Sequence, residues 1–328
     1  MHKCERYPSD CKRHQTALRA FHQAPVEYVK EQQFKDPPCA KWFLAYVRDV
    51  YNRLDSLKAI AMSMYGRILK IDSTKVTKKL QGLEANSASW VTNVGNEKGQ
   101  VVNSILTTSE SIVSLQLMAD GLINRFAQAN VPPPVLLYTD RECCCTQGTA
   151  SKYKMLFSAW PNMVIRLDIF HLMRRFAVGC TSESHPLYSM FMASLSRCIF
   201  KWDQEDLAQL YLAKKSELVA VRLAVSKKEL ARHCRRRTRG AEATEALLES
   251  LFQTMASATD VLGVPVFRDE MLSEIWPKQQ KHVKCIQDLP EVALYTTTGH
   301  LKKGNIQLPV FRCGRGTTSL EIFHLHLA

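Results

Sequence analysis

The sequence predicts an α/β fold built on a mixed β-sheet, with an all-α insertion and an N-terminal helical segment. Three short apolar runs predict the sheet, because each is rich in large or β-branched residues and ends on an aspartate. These runs are Ile68–Asp72, Val135–Asp140 and Met163–Asp168. From Cys180 to about Gln307 strand-like runs nearly vanish and leucines recur at helical intervals, which predicts the insertion.

The N-terminal segment, residues 1–63, is predicted to be helical from Pro38 onward. Its apolar residues fall at helical spacing and include an aromatic stripe that we expect to be buried: Trp42, Phe43, Tyr46, Val47 and Val50. After the first strand, the runs Ser89–Val94 and Val101–Leu106 predict two more strands. The glycines and asparagine between them are typical of a hairpin turn.

The order of the following elements predicts the topology. Residues Glu110–Asn130 have a helical period that ends before Pro132, which indicates a crossover helix, and further helices are predicted near 152–160 and over 169–178. Three antiparallel strands followed by parallel strands reached through helices is the order of an RNase H-like domain. A generic α/β sheet would also place polar residues at its strand ends.

We assign residues 64–179 to the first part of this domain, 180–307 to the all-α insertion and 308–328 to the end of the domain. The last segment passes from glycines to Thr317 and Thr318 and then to an apolar helix with Glu321 in its first turn. The chain stops seven residues after Glu321, and we expect this helix to be truncated. By itself Glu321 would only complement the helix dipole.

Composition limits the class of protein. The 328-residue chain is 46% hydrophobic and 23% charged, which suffices for a full core and two domains. No apolar run approaches the ~20 residues that cross a bilayer, and the start of the chain does not resemble a signal peptide. We expect a cytosolic or nuclear protein with reduced cysteines. The adjacent Cys143, Cys144 and Cys145 do not match zinc-ligand spacing, so we expect no metal there.

The net charge of +13 favours a polyanionic partner, with nucleic acid first and membrane surfaces or acidic proteins as alternatives. A lysine run follows Asp72, and an arginine run lies within the insertion. The lysines would also suit a solvated loop, and the arginines a nuclear-import signal. The candidate nucleic-acid-binding residues are Lys75, Lys78, Lys79, Arg232, Arg235, Arg236, Arg237 and Arg239.

With these residues identified, the chain from about residue 64 resembles DDE-type transposases with an RNase H-like core, in a layout similar to the hAT and Mutator-like families. The resemblance is carried by Asp72 on the first strand, Asp140 on the fourth, the insertion and Glu321 on a helix after it. Asp168 and His171 are similar to the Cys/Asp-x-x-His signature of such families. The stretches 68–80 and 314–327 are similar to those of transposon-derived vertebrate proteins.

This resemblance implies a nuclear DNA nuclease or strand transferase that uses two Mg²⁺ (or Mn²⁺) ions. Asp72, Asp140 and Glu321 would be the catalytic, metal-binding residues, since hard cations prefer oxygen ligands. His171 would orient the site or contact a phosphate, with a packed helix histidine as the alternative reading, and Asp168 would brace that histidine.

Other functions stay open at this point. A domesticated transposase could retain the fold and the basic surface as a catalytically inactive nucleic-acid-binding protein. A small-molecule α/β enzyme is disfavoured, because no glycine-rich phosphate loop follows any predicted strand. We expect DNA as the partner and no membrane, and we leave a homo-oligomer open.

Overall fold

The computed structural model describes residues 40–75, 90–144, 151–216, 225–268 and 271–326. They divide into two units between Leu57 and Lys58. Within these ranges, no helix combines the length and the apolar character that a membrane span requires.

The N-terminal segment contains helices α1 (Ala40–Asn52) and α2 (Leu54–Met62), as its periodicity predicts. The prediction that its aromatic stripe is buried is wrong for the described side chains, because Phe43, Tyr46 and Val47 are all exposed. An apolar stripe specifies which face of a helix can be buried, but it does not supply the surface that buries it.

Five strands form the mixed sheet that the apolar runs predict. They are β1 (Ile68–Lys75), β2 (Trp90–Asn96), β3 (Val101–Thr107), β4 (Leu136–Thr139) and β5 (Val164–Leu167). Their order is β3-β2-β1-β4-β5. Strand β2 pairs antiparallel with β1 and β3, whereas β4 pairs parallel with β1 and β5. The hairpin and the parallel strands therefore meet at β1, in the centre of the sheet.

The register of the parallel strands aligns the three strand-end aspartates. Ile68 lies opposite Leu136, and Leu136 lies opposite Val164. Asp72, Asp140 and Asp168 each stand four residues further along, at or just beyond the last paired residues, Lys70 with Tyr138 and Thr139 with Leu167. The three aspartates therefore form one row at the same edge of the sheet.

One face of the sheet is covered by helices α3 (Ile112–Gln128), α4 (Lys152–Leu156) and α5 (Ile169–Ala177). Helix α3 begins at Ser111, whose hydroxyl accepts a hydrogen bond from the Ser114 amide at 3.2 Å. These helices bury the apolar side chains of the central strands in the main core, which includes Leu69, Ile71, Leu137, Ile165 and Leu167. The predicted helices after Glu110, near 152 and after Asp168 are confirmed.

The all-α character predicted for residues 180–307 is wrong. This region contains α6 (Tyr188–Ile199), β6 (Phe200–Trp202), α7 (Gln204–Ser216), α8 (Lys227–His233), β7 (Arg236–Thr238), α9 (Ala241–Met255), α10 (Met271–Gln280) and β8 (Tyr295–Lys303). Strand β6 pairs with β7, and β8 forms a hairpin with β9 (Ile306–Cys313), which the assigned boundary at residue 308 divides. Three-residue strands are too short to show a period, and most of β8 is exposed, so it lacks an alternating apolar pattern.

Helix α11 (Thr318–His326) lies on the second face of the sheet, against β1 and β2. Gly95 of β2 allows this approach, because a Cβ atom there would lie 3.0 Å from the Leu320 side chain. Ile68, Leu136 and Tyr138 pack with Leu294 in a small apolar cluster. Alternate residues of a strand point to the same side, so Asp72 shares the face of Ile68 and faces α11.

Candidate active site

The central feature of the site is the contact between Asp72 of β1 and two side chains of α11. Asp72 is 6% exposed, and its Oδ2 atom lies 3.1 Å from Nδ1 of His324. One ligand atom each from Asp72, Glu321 and His324 lies within 4.8 Å of the other two. Glu321 and His324 are three residues apart, which places them on the same face of the helix. Strand β1 and helix α11 thus bring together residues that are far apart in sequence.

His324 also contacts Asn93, which pairs with Asp72 in the neighbouring strand. The Asn93 Nδ2 atom is 2.7 Å from Nε2 of the ring, so Nε2 accepts and the ring proton on Nδ1 faces Asp72. In this orientation Asn93 Oδ1 is buried without a hydrogen-bond partner among the described residues. The opposite amide orientation would direct Oδ1 at Nε2 and require a doubly protonated ring. In both orientations His324 supports one oxygen of Asp72.

Asp140 follows β4 and borders a cavity of about 520 Å³ that Glu321 and His171 also line. Its Oδ2 atom accepts a hydrogen bond from Nε of Arg141 at 3.0 Å, and its backbone carbonyl accepts one from Arg175 at 2.8 Å. The structure therefore brings all three predicted catalytic carboxylates to one region. Carboxylate oxygens of Asp72 and Glu321 lie within 4.8 Å of each other, and Asp140, outside that group, follows the neighbouring strand in the same row.

His171 of α5 approaches Glu321 from the side of the cavity, with 3.2 Å between Nε2 and Oε1. Burial acts to lower the pKa of His171. The contact with Glu321 and the charges of Asp168, Asp140 and Asp72 outweigh it, so this pKa is raised. The same contact lowers the pKa of Glu321, with smaller contributions from His171 and His324 as charges. His171 therefore carries positive charge among the carboxylates over a wider pH range than an ordinary histidine.

Asp168 has a different set of partners from the one predicted. Its carboxylate accepts hydrogen bonds from the Phe170 amide at 2.9 Å and from the amide and hydroxyl of Thr317 at 2.7 and 2.6 Å. Thr317 directly precedes α11, so Asp168 caps α5 and fixes the start of the helix that carries Glu321. Its described hydrogen bonds brace that helix and not His171. Gly316 permits the approach, since it has φ +72° and a Cβ atom there would lie 2.9 Å from Asp168 Oδ1.

A buried lysine lies beside this junction. Lys70 of β1 is 3% exposed, and its Nζ atom is 3.4 Å from the Ser319 hydroxyl of α11. Burial lowers its pKa, opposed by the charges of Cys313, Asp168 and Glu97. Lys70 adds a polar contact between β1 and the first turn of α11, whereas the contact of Asp72 with His324 lies near the end of that helix.

Three arginines at the cavity were missed by the sequence argument. Arg141, Arg174 and Arg175 line it together with Asp140 and Glu321. Arg174 lies 3.9 Å from Glu183, but its side chain is 56% exposed, so its guanidinium is accessible to solvent. Two of these arginines form a basic pair in the last turn of α5, which is visible in the sequence. The sequence analysis instead assigned nucleic-acid binding to the longer arginine run downstream.

The predicted nucleic-acid-binding residues are dispersed. Lys75 ends β1, and Lys78 and Lys79 lie outside the described residues. Within the arginine run, only Arg232 and Arg237 are exposed, and Arg237 forms an ion pair with Asp203 at 3.2 Å.

The other arginines of this run are engaged in internal contacts. Arg235 forms two side-chain hydrogen bonds with Asp206, at 2.8 and 2.9 Å. Arg236 lies over the rings of Phe200 and Trp202, and Arg239 donates to a backbone carbonyl. Because β7 runs through this segment, most of its arginines hold the insertion together.

The donor set suits a divalent cation. Asp72, Asp140 and Glu321 offer carboxylate oxygens, which Mg²⁺ and Mn²⁺ prefer, and the 4.8 Å grouping of Asp72 and Glu321 allows them to share an ion. A comparison with protein-family models finds no matching family, and a comparison with curated proteins finds no matching relative.

Proposed function

We propose that this protein is a DDE-type transposase-like nuclease or strand transferase that acts on DNA with two divalent metal ions. The observation that carries the proposal is the convergence of Asp72 with Glu321, beside Asp140 in the aligned row. These three carboxylates come from three separate segments of the chain. Asp140 and Glu321 line one solvent-accessible cavity, and Asp72 lies buried beside Glu321. A shared cation site explains why acidic side chains should be assembled in this way.

The topology supports an RNase H-like fold for this proposal. The order β3-β2-β1-β4-β5, with an antiparallel hairpin on one side of β1 and parallel strands on the other, is the order expected for such a domain. The position of Asp72 on the central strand and Asp140 on its parallel neighbour also agrees with the resemblance. The helix carrying Glu321 returns to these strands after the inserted region.

The proposed roles follow from charge and position. When bound, two Mg²⁺ or Mn²⁺ ions would stabilise the negative charge that develops as a phosphodiester bond is broken. Asp72, Asp140 and Glu321 would hold them. His171 positions the Glu321 carboxylate through its charged contact, and His324 supports one oxygen of Asp72 so that the other can face a cation. Neither histidine is required to transfer a proton.

The rim of the cavity supports DNA as the substrate. Arg174 is the most accessible of the three rim arginines, and guanidinium groups bind phosphate oxygens through two parallel hydrogen bonds. In this arrangement the guanidinium groups at the rim attract the DNA backbone, while the carboxylates would hold the metal ions at the scissile phosphate. The net charge of +13 adds long-range attraction.

The test is Mg²⁺- or Mn²⁺-dependent nicking of plasmid DNA by the full chain. We expect Asp72→Asn, Asp140→Asn and Glu321→Gln to reduce nicking to background, because each removes a charged ligand without changing its size. Asp120→Asn, at an exposed position of α3, is the control and should nick as the unaltered protein does. Nicking that survives both aspartate substitutions would refute the catalytic assignment.

A second candidate is a catalytically inactive DNA-binding protein, and one observation favours it. His324 engages Asp72 and Arg141 engages Asp140, so both aspartates already have cationic or hydrogen-bonding partners. This candidate predicts salt-sensitive DNA binding without nicking at any concentration of Mg²⁺ or Mn²⁺. It also predicts that Asp72→Asn leaves DNA affinity unchanged, whereas Arg174→Ala lowers it.

A further inference from the structure

Three cysteines and one histidine form a second cluster that shares no residue with the carboxylate site. Cys143 and Cys144 follow Asp140 in the loop after β4, and His282 and Cys285 lie in the turn after α10. One ligand atom from each lies within 4.8 Å of all the others. Cys143 and Cys285 are buried, and the other two are half-buried. We propose that Cys143, Cys144, His282 and Cys285 bind one Zn²⁺ ion in a closed, structural Cys₃His site.

The distances between the ligand atoms support a tetrahedral ion. A Zn–S bond of about 2.3 Å and a Zn–N bond of about 2.05 Å in tetrahedral geometry require about 3.8 Å between sulfurs and about 3.6 Å between sulfur and nitrogen. The Cys143 and Cys144 sulfurs are 3.9 Å apart. The His282 Nδ1 atom is 3.2 Å from the first and 3.4 Å from the second. Small adjustments of these side chains would suffice to admit the ion.

The backbone of both segments presents the ligands inward. His282 and Cys285 are three residues apart, and the Cys285 amide donates to the His282 carbonyl at 2.9 Å in a turn that continues into a short 3₁₀ helix, Lys284–Ile286. Side chains three residues apart in such a turn lie on the same side. The other segment turns at Glu142, which has φ +56°, a conformation uncommon for a residue other than glycine.

The chemistry of the cluster fits zinc better than a disulfide or Mg²⁺. Thiolate and imidazole are the ligands that structural Zn²⁺ sites use, whereas Mg²⁺ prefers oxygen. A disulfide between two of the thiols would leave a third thiol and the imidazole unused, and the 3.9 Å between Cys143 and Cys144 sulfurs far exceeds a bond of about 2.05 Å.

A closed four-ligand ion would link two distant parts of the chain. It would join the loop after β4 to the turn after α10, which packs near β5. A hydrogen bond of 2.9 Å from Arg175 to Gln279 already connects α5 and α10 in the same neighbourhood. The zinc proposal does not depend on the carboxylate site, because no residue is shared between the two clusters.

The test uses the full chain purified without chelator. We expect one equivalent of zinc by elemental analysis. Replacement by Co²⁺ should give thiolate-to-cobalt charge-transfer absorption and the d–d bands of a tetrahedral ion. Cys285→Ser should lower the retained zinc to roughly a tenth or less. Cys198→Ser, at a half-buried cysteine outside the cluster, should retain the full equivalent.

The design also covers variants that do not fold. If Cys285→Ser is insoluble, Cys144→Ser and Co²⁺ titration of the unaltered protein give the same readout. Asp72→Asn must retain the cobalt spectrum, which separates this ion from one held by carboxylates. Unaltered protein that lacks both zinc and the charge-transfer band, or that contains a disulfide among these cysteines, would overturn the proposal.

Discussion

Replacing Asp168 with alanine should strongly destabilise the sheet domain. The substitution removes the acceptor of three hydrogen bonds, from the Phe170 amide and from the amide and hydroxyl of Thr317. Loss of a helix cap costs about 1 kcal/mol, and each of the two Thr317 donors left buried costs about 1 kcal/mol or more. We therefore expect the free energy of unfolding to fall by about 3 kcal/mol.

Urea denaturation followed by tryptophan fluorescence measures this change. With an m-value of about 3 kcal/mol/M, a loss of about 3 kcal/mol lowers the midpoint by about 1 M. Asp168→Asn keeps one carbonyl oxygen as an acceptor and should lose roughly half as much stability. Asp120→Ala, an exposed aspartate of α3, should change stability by less than about 0.5 kcal/mol.

The same variant tests whether Asp168 affects catalysis only by fixing the start of α11. If it only fixes the start of α11, Asp168→Ala should impair metal-dependent nicking in proportion to the misplacement of Glu321, and excess Mn²⁺ should partly restore it. A midpoint shift below about 0.3 M would refute the reasoning, because it would mean that the three hydrogen bonds do not hold the helix in place.

Three further perturbations test other contacts. His171→Gln should flatten the pH dependence of thermal stability above about pH 6.5, the ordinary histidine value, because the pKa of His171 is raised in the folded protein. The Glu321 contact therefore has full strength below that pH and is lost as pH rises through the folded-state pKa. Gly316→Ala should cost about 1–2 kcal/mol more than Gly263→Ala in urea denaturation, since both have positive φ but only Gly316 would place a Cβ atom against a carboxylate. Arg237→Ala should weaken DNA binding and reduce the salt slope by about 1. It should change stability by less than about 1 kcal/mol, because its ion pair with Asp203 is largely exposed.

Each of these has an outcome that contradicts it. An unchanged pH profile in His171→Gln, with exposed His300→Gln as the matched variant, would show that the ion pair contributes nothing to stability. Equal losses of stability in Gly316→Ala and Gly263→Ala would show that the close approach of Gly316 to Asp168 adds no cost. Arg237→Ala binding DNA with an unchanged salt slope would show that this exposed arginine does not contact phosphate.

The strands and helices of the sheet domain could be predicted because their sequence patterns are local. Apolar runs that end on aspartate identified β1, β4 and β5, and a hairpin turn identified β2 and β3. The alignment of the three strand-end aspartates follows from the parallel register of these strands. The contact of Asp72 with α11 could not be predicted from a local sequence pattern, because it depends on where the chain packs on the sheet after the inserted region.

The errors have physical causes as well. Strands β6 and β7 are three residues long and their pairing rests partly on arginine–aromatic contacts, which leave no hydrophobic period. The arginine run was predicted to bind phosphate, but Arg235 forms an ion pair with Asp206. Asp206 comes from another segment, so the arginine run by itself does not indicate this pairing. The sequence analysis expected no metal at Cys143, Cys144 and Cys145 from their spacing, and it could not show that His282 and Cys285, from a distant segment, lie beside Cys143 and Cys144.

The hydrogen bonds from Thr317 to Asp168 have an evolutionary consequence. They fix both ends of a long excursion of the chain, which leaves the sheet after α5 and returns at α11. Closing a longer loop costs only about 0.6 kcal/mol for each doubling of its length. Lineages could therefore lengthen the exposed loops of the excursion at little thermodynamic cost, provided that both anchored ends and the side chains that it adds to the main core, such as Phe191 and Phe252, remain. Those loops are where related chains should diverge most in size.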